Sequence, residues 1–135
     1  MTPIEIKRGD VVLVAFPFVS ESGPSLKRRP AVVIQSDRYN RRRAAVVLAA
    51  ITSSQKQGEL QCKVLVARDS PAGQQAGLRA DSVVDCQTVI TLPRTELVAK
   101  IGTFPSDVLA QIDRALENAL GLRGAPPKPS RKTPG

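Results

Sequence analysis

Ala44-Ala45-Val46-Val47-Leu48-Ala49-Ala50-Ile51 decides the fold, because it suits either a helix or a strand. Alanine favours the helix, but the run carries adjacent valines and is bounded by polar segments on both sides. It therefore reads as a buried strand. The runs around it agree. Asp10-Val11-Val12-Leu13-Val14-Ala15 follows the Arg8-Gly9 turn and is short and β-branched, and Pro30-Ala31-Val32-Val33-Ile34-Gln35 repeats the pattern. Leu60-Gln61-Cys62-Lys63-Val64-Leu65-Val66 begins with apolar and polar residues alternating, as on a half-buried strand. Ser82-Val83-Val84-Asp85-Cys86-Gln87 and a short piece near Ala99-Lys100-Ile101-Gly102 complete five or six strands.

The intervening segments read as loops. Pro17 to Leu26 holds Gly and two Pro and is expected as a long exposed loop, and Asp37 to Arg43 and Ser53 to Glu59 are polar turns. Asp69 to Leu78 contains the turn signal Ser-Pro-Ala-Gly. One long helix is expected over Ser106 to Leu120, where Leu109, Ile112, Leu116 and Ala119 recur at helical steps, Asp107 suits the first turn and Gly121 ends it. A shorter helix is expected over Arg94 to Val98. Residues 1-122 form one domain, and 123-135 read as a disordered, basic, Pro-rich tail with no core former. The fold class is mainly β with minor α: a small, strongly bent sheet or partly open barrel with a C-terminal helix.

Composition narrows the chemistry. The chain of 135 residues has an aliphatic core, with no Trp, one Tyr and three Phe. Cys62 and Cys86 are too few for a disulfide framework and read as buried thiols. There is no signal-like or membrane-spanning apolar run, so the expected compartment is the cytoplasm. Twenty Lys+Arg stand against 12 Asp+Glu; the tail's Arg123, Lys128, Arg131 and Lys132 account for four, leaving 16 against 12. The remaining excess clusters in Lys27-Arg28-Arg29 and in Arg38 with Arg41-Arg42-Arg43, which suits a polyanionic partner or a plain solvated basic face. The absence of histidine removes His-dependent triads and His-pair ribonuclease chemistry. Two distant cysteines and scattered carboxylates make no metal cluster, and no phosphate-binding glycine motif follows a strand, so no cofactor and no metal are expected. What remains (Arg, Lys, hydroxyls, carboxylates and amides) is suited to stabilising charge on a phosphate.

Four segments in order carry a resemblance. They are Lys7-Arg8-Gly9-Asp10-Val11-Val12-Leu13-Val14 leading to Phe16-Pro17-Phe18; Lys27-Arg28-Arg29-Pro30-Ala31-Val32-Val33-Ile34; Val47-Leu48-Ala49-Ala50-Ile51-Thr52-Ser53; and Asp81-Ser82-Val83-Val84, followed by Thr91-Leu92 and Lys100-Ile101-Gly102. Together, over about residues 5 to 122, they resemble the MazF/PemK family of type II toxin–antitoxin endoribonuclease toxins. The resemblance implies a CcdB/MazF plasmid-toxin-like fold, an SH3-like barrel of five to seven strands with a C-terminal helix. It implies a homodimer that cleaves single-stranded RNA at short sequences without metal, by 2′-OH attack leaving a 2′,3′-cyclic phosphate and a 5′-OH. It further implies an acidic MazE-like antitoxin, operator DNA bound only through the antitoxin complex, and no membrane role.

By the same resemblance the arginine before Pro30 is Arg29 and the hydroxyl closing the third strand is Thr52, and these are the expected catalytic pair. A guanidinium holds phosphoryl charge with paired N–H donors, and a threonine hydroxyl adds one more. Lys27 and Arg28 are expected to contact RNA phosphates. Ser53, Gln55 and Lys56 either touch RNA or form a solvated loop, and Phe18, with Phe16 and Pro17, offers either a base-stacking surface or packing. Some relatives place an Arg and an Asp two residues apart as acid and base, where this chain has Asp85 and Gln87. Glu21 is another candidate base. The alternative function is a non-catalytic barrel that binds RNA or poisons a protein target such as gyrase.

Overall fold

β1 (Asp10–Ser20) and β2 (Gly23–Val33) form a long antiparallel hairpin in unbroken register, from Val11 opposite Val32 to Ser20 opposite Gly23. The computed structural model describes residues 4–20, 23–53 and 60–122. The expected loop from Pro17 to Leu26 is instead the outer half of this hairpin. The ribbon extends past the last β6 partner at Val14 and past the end of β3, so each strand needs ladder bonds on one side only. Pro17 and Pro24 are tolerated there, as they would not be in a central strand.

After β2 come α1 (Asp37–Asn40) and β3 (Ala45–Thr52), then β4 (Lys63–Val66), α2 (Pro71–Gln75), β5 (Ser82–Pro93), β6 (Leu97–Thr103) and α3 (Ser106–Leu120). Single 3-10 turns at Leu60–Cys62 and Arg94–Glu96 precede β4 and β6. The second of these replaces the expected helix over Arg94 to Val98, because β6 pairing with β1 begins at Leu97 and pulls the backbone into a strand. The polar turns at 37–43 and 69–78 each contain one short helix. Ser36 caps the first, accepting from the Arg38 N–H, and Ser70 caps the second, accepting from the Gly73 N–H.

The six strands form one antiparallel sheet in the order β4-β5-β3-β2-β1-β6. Both its faces are buried, which accounts for the near-continuous apolar runs in β1 and β3. One face carries Val11, Val32, Ala49, Ile51, Val84 and Cys86 and packs against Val108, Ile112, Ala115 and Leu116 of α3. The other carries Val12, Val14, Ala31, Val33, Val46 and Leu48, closed over by Leu97 and Ile6.

α2 links the two ends of the curled sheet. A Cβ on Gly102 of β6 would stand 2.4 Å from the Ala76 carbonyl carbon, and one on Gly73 would stand 2.1 Å from the Ala67 oxygen just after β4. Only glycine admits backbone approach this close. α3 ends at Gly121 in the left-handed conformation (φ 69°), whose N–H donates to the Glu117 carbonyl. It is tied down by an Arg8–Asp113 ion pair of 2.7 Å and by Asn118 donating to the Gln61 carbonyl. No helix among the described residues is long and apolar enough to cross a membrane. The 123–135 segment lies outside the described residues.

Candidate active site

Register, more than sequence proximity, assembles the site. β2 and β3 pair Val33 with Leu48, Val32 with Ala49 and Ala31 with Ala50, where their pairing ends; continued two residues beyond that end, the same register would set Arg29 opposite Thr52. Residues directly opposite in an antiparallel pair share a face, with Cα atoms about 4.5–5.5 Å apart. Thr52 in turn pairs with Val83 of β5, and Val83 with Leu65 of β4. One row therefore crosses four strands as Arg29, Thr52, Val83 and Leu65. The next row, one pleat along, reads Ala31, Ala50, Asp85 and Lys63.

Exposure along these rows is uneven, with Ala31 and Val83 buried. Val14, the β1 partner of Arg29, is fully buried, whereas Arg29 is exposed and Thr52 half-buried. Neither Arg29 nor Thr52 is without a partner in the chain. Lys63 and Asp85 are half-buried and Leu65 is exposed. The surface begins where the lining of one core emerges at the end of β2 and β3. Ala31 and Ala50 present only methyl groups beside Arg29 and Thr52, so nothing bulky crowds the row on that side.

Asp85 is committed to shaping this surface. One step along β3, from Ala49 to Ala50, corresponds to four along β5, from Val89 to Asp85. Cys86, Gln87 and Thr88 are therefore extra residues in a wide bulge. The Asp85 carboxylate holds it: Oδ1 accepts from the Gln87 N–H at 3.0 Å, and Oδ2 accepts from the Thr88 hydroxyl at 2.9 Å. The bulge turns Cys86 into the core and leaves Gln87 and Thr88 exposed. Burial pushes the Cys86 thiol up to about 12, with the Asp85 charge adding to it. Asp85 sits diagonally from Thr52, at about 7–8 Å by sheet geometry.

The remaining expected residues distribute as follows. Arg28 is exposed but, one residue from Arg29, points to the opposite face. Ser53 is exposed directly after Thr52. Lys27 and Phe18 lie on the hairpin backbone, opposite Phe16 and Ser25 respectively; their side chains fall outside the described residues, as do Glu21, Gln55 and Lys56. Lys63 and Leu65 join the surface although the sequence reading does not single them out. Only the β4–β5 register brings them there, and their sole local signal is the alternation from Leu60 to Val66. Among the described residues no three His, Cys, Asp or Glu side chains gather as a metal-binding group. The polar side chains in these rows are the Arg29 guanidinium, the Thr52 hydroxyl, the Asp85 carboxylate and the Lys63 ammonium.

Comparison with known proteins identifies the family and the fold. A family model described as PemK-like, MazF-like toxin of type II toxin–antitoxin system matches residues 7–120. The chain is 37% identical over 97 residues to Endoribonuclease MazF2 of Mycobacterium bovis, covering 71% of this chain and 81% of that protein. Endoribonuclease MazF6 of Mycobacterium tuberculosis matches with the same identity and coverage. Among solved structures, an endoribonuclease in complex with its cognate antitoxin from a mycobacterial species superposes with a TM-score of 0.66 at 22% identity, covering 92% of this chain and 99% of that one. A MazE–MazF structure from Deinococcus radiodurans does so with a TM-score of 0.66 at 22% identity, covering 88% and 98%. At that identity the structural likeness speaks for the fold: a six-stranded sheet with a C-terminal helix, as in MazF toxins.

Proposed function

The chain belongs to the PemK-like, MazF-like family of type II toxin–antitoxin toxins and is an endoribonuclease, and from this premise we propose that Arg29 and Thr52 form the centre at which it cleaves single-stranded RNA. The observation that supports the assignment is the β2–β3 register, which, continued two residues beyond its last pair, brings exposed Arg29 across from half-buried Thr52.

In this reaction the ribose 2′-OH adjacent to the scissile phosphate attacks phosphorus. The new P–O bond closes a five-membered ring while the bond to the 5′ oxygen breaks; the 2′-OH gives up its proton and the departing 5′ oxygen takes one, giving a 2′,3′-cyclic phosphate and a 5′-OH. Negative charge grows on the non-bridging oxygens. The Arg29 fork donates two N–H groups to that charge, and the Thr52 hydroxyl donates a third from the neighbouring strand. Arg29 lies within β2, paired with Val14 of β1, and Thr52 closes β3, paired with Val83 of β5, so both are oriented before substrate arrives. No step in this scheme calls for a metal.

The surrounding positions fit an extended RNA strand. Lys27 supplies positive charge along β2, Arg28 on the opposite face adds only general positive potential, Ser53, Gln55 and Lys56 follow Thr52, and Phe18 lies further out on the hairpin. Asp85, with both oxygens accepting hydrogen bonds within the bulge, positions the neighbouring surface and is not assigned the proton transfer. The working form is a cytoplasmic homodimer, neutralised by an acidic antitoxin and reaching operator DNA through that complex. The mycobacterial and Deinococcus relatives solved with an antitoxin support the antitoxin part of this reading.

Mapping cut sites on a long RNA in the presence of chelator tests the centre. The parent protein is expected to cut at a short recurring sequence, and Arg29→Ala to lose the cuts while keeping its fold. RNA bound but never cut by the parent protein, freed of antitoxin, would instead indicate a non-catalytic binding barrel.

A further inference from the structure

Four of the six residues from Arg38 to Arg43 are arginines, and the active-site reading uses none of them. They sit on α1 and the turn after it. Arg38, Arg41, Arg42 and Arg43 are all exposed, and Tyr39 among them is 45% exposed. The ion pairs among the described residues involve Arg8, Arg68 and Lys100, so none of these four guanidiniums has a carboxylate of a described residue at ion-pairing distance. Arg41 lies near enough to Asp37 to help lower its carboxyl, but the main cause of that shift is the Arg8 backbone N–H donating to it.

The segment is also built to hold its shape. Asn40 is buried; its side-chain amide donates to the Gln35 carbonyl and to Asp37 Oδ1, and its Oδ1 accepts from Gln35 Nε2. Gln35 Nε2 reaches the Ala45 carbonyl on the far side of the turn. Arg94, arriving from the end of β5, donates to the backbone carbonyls of Asn40 and Arg43. The backbone N–H groups of Arg41, Arg42 and Arg43 are satisfied by Asp37 and Tyr39 carbonyls. Four like charges within six residues repel one another, and this network holds the backbone that displays them in place. The same fold thus keeps four cations and an aromatic ring turned to solvent on a fixed turn.

We propose that this turn is a second RNA-binding site, in which Arg38, Arg41, Arg42 and Arg43 take backbone phosphates of single-stranded RNA and Tyr39 offers a base-stacking face. Arginine forks match phosphate oxygens, and exposed aromatics stack bases without regard to sequence. The proposal rests on the RNA-cleaving reading, which supplies the strand. It is distinct from that site in place. The turn joins the end of β2 to the start of β3, whereas Arg29 and Thr52 lie at the opposite end of the same pair of strands. The length of β3 separates them by about 23 Å at ~3.3 Å per residue, which a strand of about seven nucleotides spans at a stacked rise of ~3.4 Å. A cut site embedded in a longer single strand is therefore held at two points, and a minimal one at one.

The experiment compares a short RNA covering only the mapped cut sequence with one extended by about ten nucleotides on each side, both carrying a 2′-deoxy sugar at the cut position. Binding is measured against salt for the parent protein, for the fourfold variant R38Q/R41Q/R42Q/R43Q, and for the matching fourfold Arg→Lys variant. Four phosphate contacts on a single strand steepen the slope of log K against log salt by about 2.8. Between about 50 and 200 mM salt the parent is then expected to lose ~50-fold more affinity for the long RNA than the Gln variant does. The Lys variant should keep the parent's slope. All three should bind the short RNA alike and cut its 2′-hydroxyl version at the same rate. A Gln variant with the parent's slope on long RNA overturns the proposal. So does one that keeps the slope but loses affinity for an acidic antitoxin, which would make the turn a protein-docking face. Arg29→Ala cutting both RNAs at the parent rate would overturn the reading of Arg29 and Thr52 and leave the slope comparison intact.

Discussion

Replacing Arg29 with alanine removes the only charged donor on its row, since Thr52, Val83 and Leu65 complete that row with one hydroxyl and two aliphatic side chains. The nearest residue able to compensate on the adjoining row is Lys63, which lies three strands beyond β2 and opposite Asp85. Removing one preorganised donor to a developing oxyanion costs about 2.7–4 kcal/mol, so kcat for RNA cleavage should fall by about 10²–10³-fold. Because Arg29 is exposed, its truncation should change stability by no more than about 0.5 kcal/mol. Thr52→Val removes one neutral hydroxyl. A typical net hydrogen bond of about 0.5–1.5 kcal/mol corresponds to a two- to twelvefold loss, with the β-branched shape retained. Both groups address the same phosphoryl from facing strands, so the double variant should fall short of the product of the two single effects. Single-turnover cleavage of a defined oligonucleotide, with urea unfolding of each variant alongside, measures all of this. An Arg29→Ala protein that cleaves at the parent rate, or one whose lost activity follows a collapsed unfolding midpoint, refutes the reasoning.

Other expectations follow from the same structure. Asp85→Ala releases the Gln87 N–H and the Thr88 hydroxyl from the bulge; it should lower stability by about 1 kcal/mol in urea unfolding and reduce cleavage less than Arg29→Ala does. Gly102→Ala places a methyl against the Ala76 and Gln75 backbone and should cost about 3 kcal/mol, read as a lower urea midpoint, with expression of folded protein as the first check. The Cys86 thiol should resist aromatic disulfide reagents at pH 8 in the folded protein and react only on unfolding. Its folded value is raised from 9.0 to about 12, so the folded state keeps a proton that the unfolded state releases. Its contribution to stability is therefore full below about pH 9 and declines as pH rises toward 12. Urea midpoints measured across that window should fall more steeply for the parent than for Cys86→Ala.

The reading of Ala44 to Ile51 as a strand holds, and the structure gives the reason. β3 is central and buried on both faces, so Val46 and Leu48 serve one core while Ala49 and Ile51 serve the other. Alanine is favoured there by lack of space, not by helix propensity. The terminal helix was legible for the opposite reason: it buries one stripe, and Ile112 and Leu116 mark that stripe at helical spacing. Pro17 to Leu26 misleads because Gly and Pro signal loops locally, whereas the hairpin ribbon is an edge on both sides and accepts them. The boundary at Arg94 misleads because strand pairing across the sheet, not the local residues, fixes where β6 begins.

Arg29 and Thr52 were legible as a pair only through the ordered family pattern. No spacing in the chain says that residues 23 positions apart face one another. The sequence by itself determined the core strands, the closing helix, the aliphatic core and the exclusion of histidine chemistry, because these follow from side-chain type and period along one dimension. Tertiary structure decided the register that sets Arg29 against Thr52, the bulge that engages Asp85, and the place of Lys63 and Leu65 beside them. It also decided the fixed turn that holds four arginines at the far end of β2 and β3. Each of these depends on which strand lies next to which, and antiparallel pairing converts a shift of a single residue into a change of face.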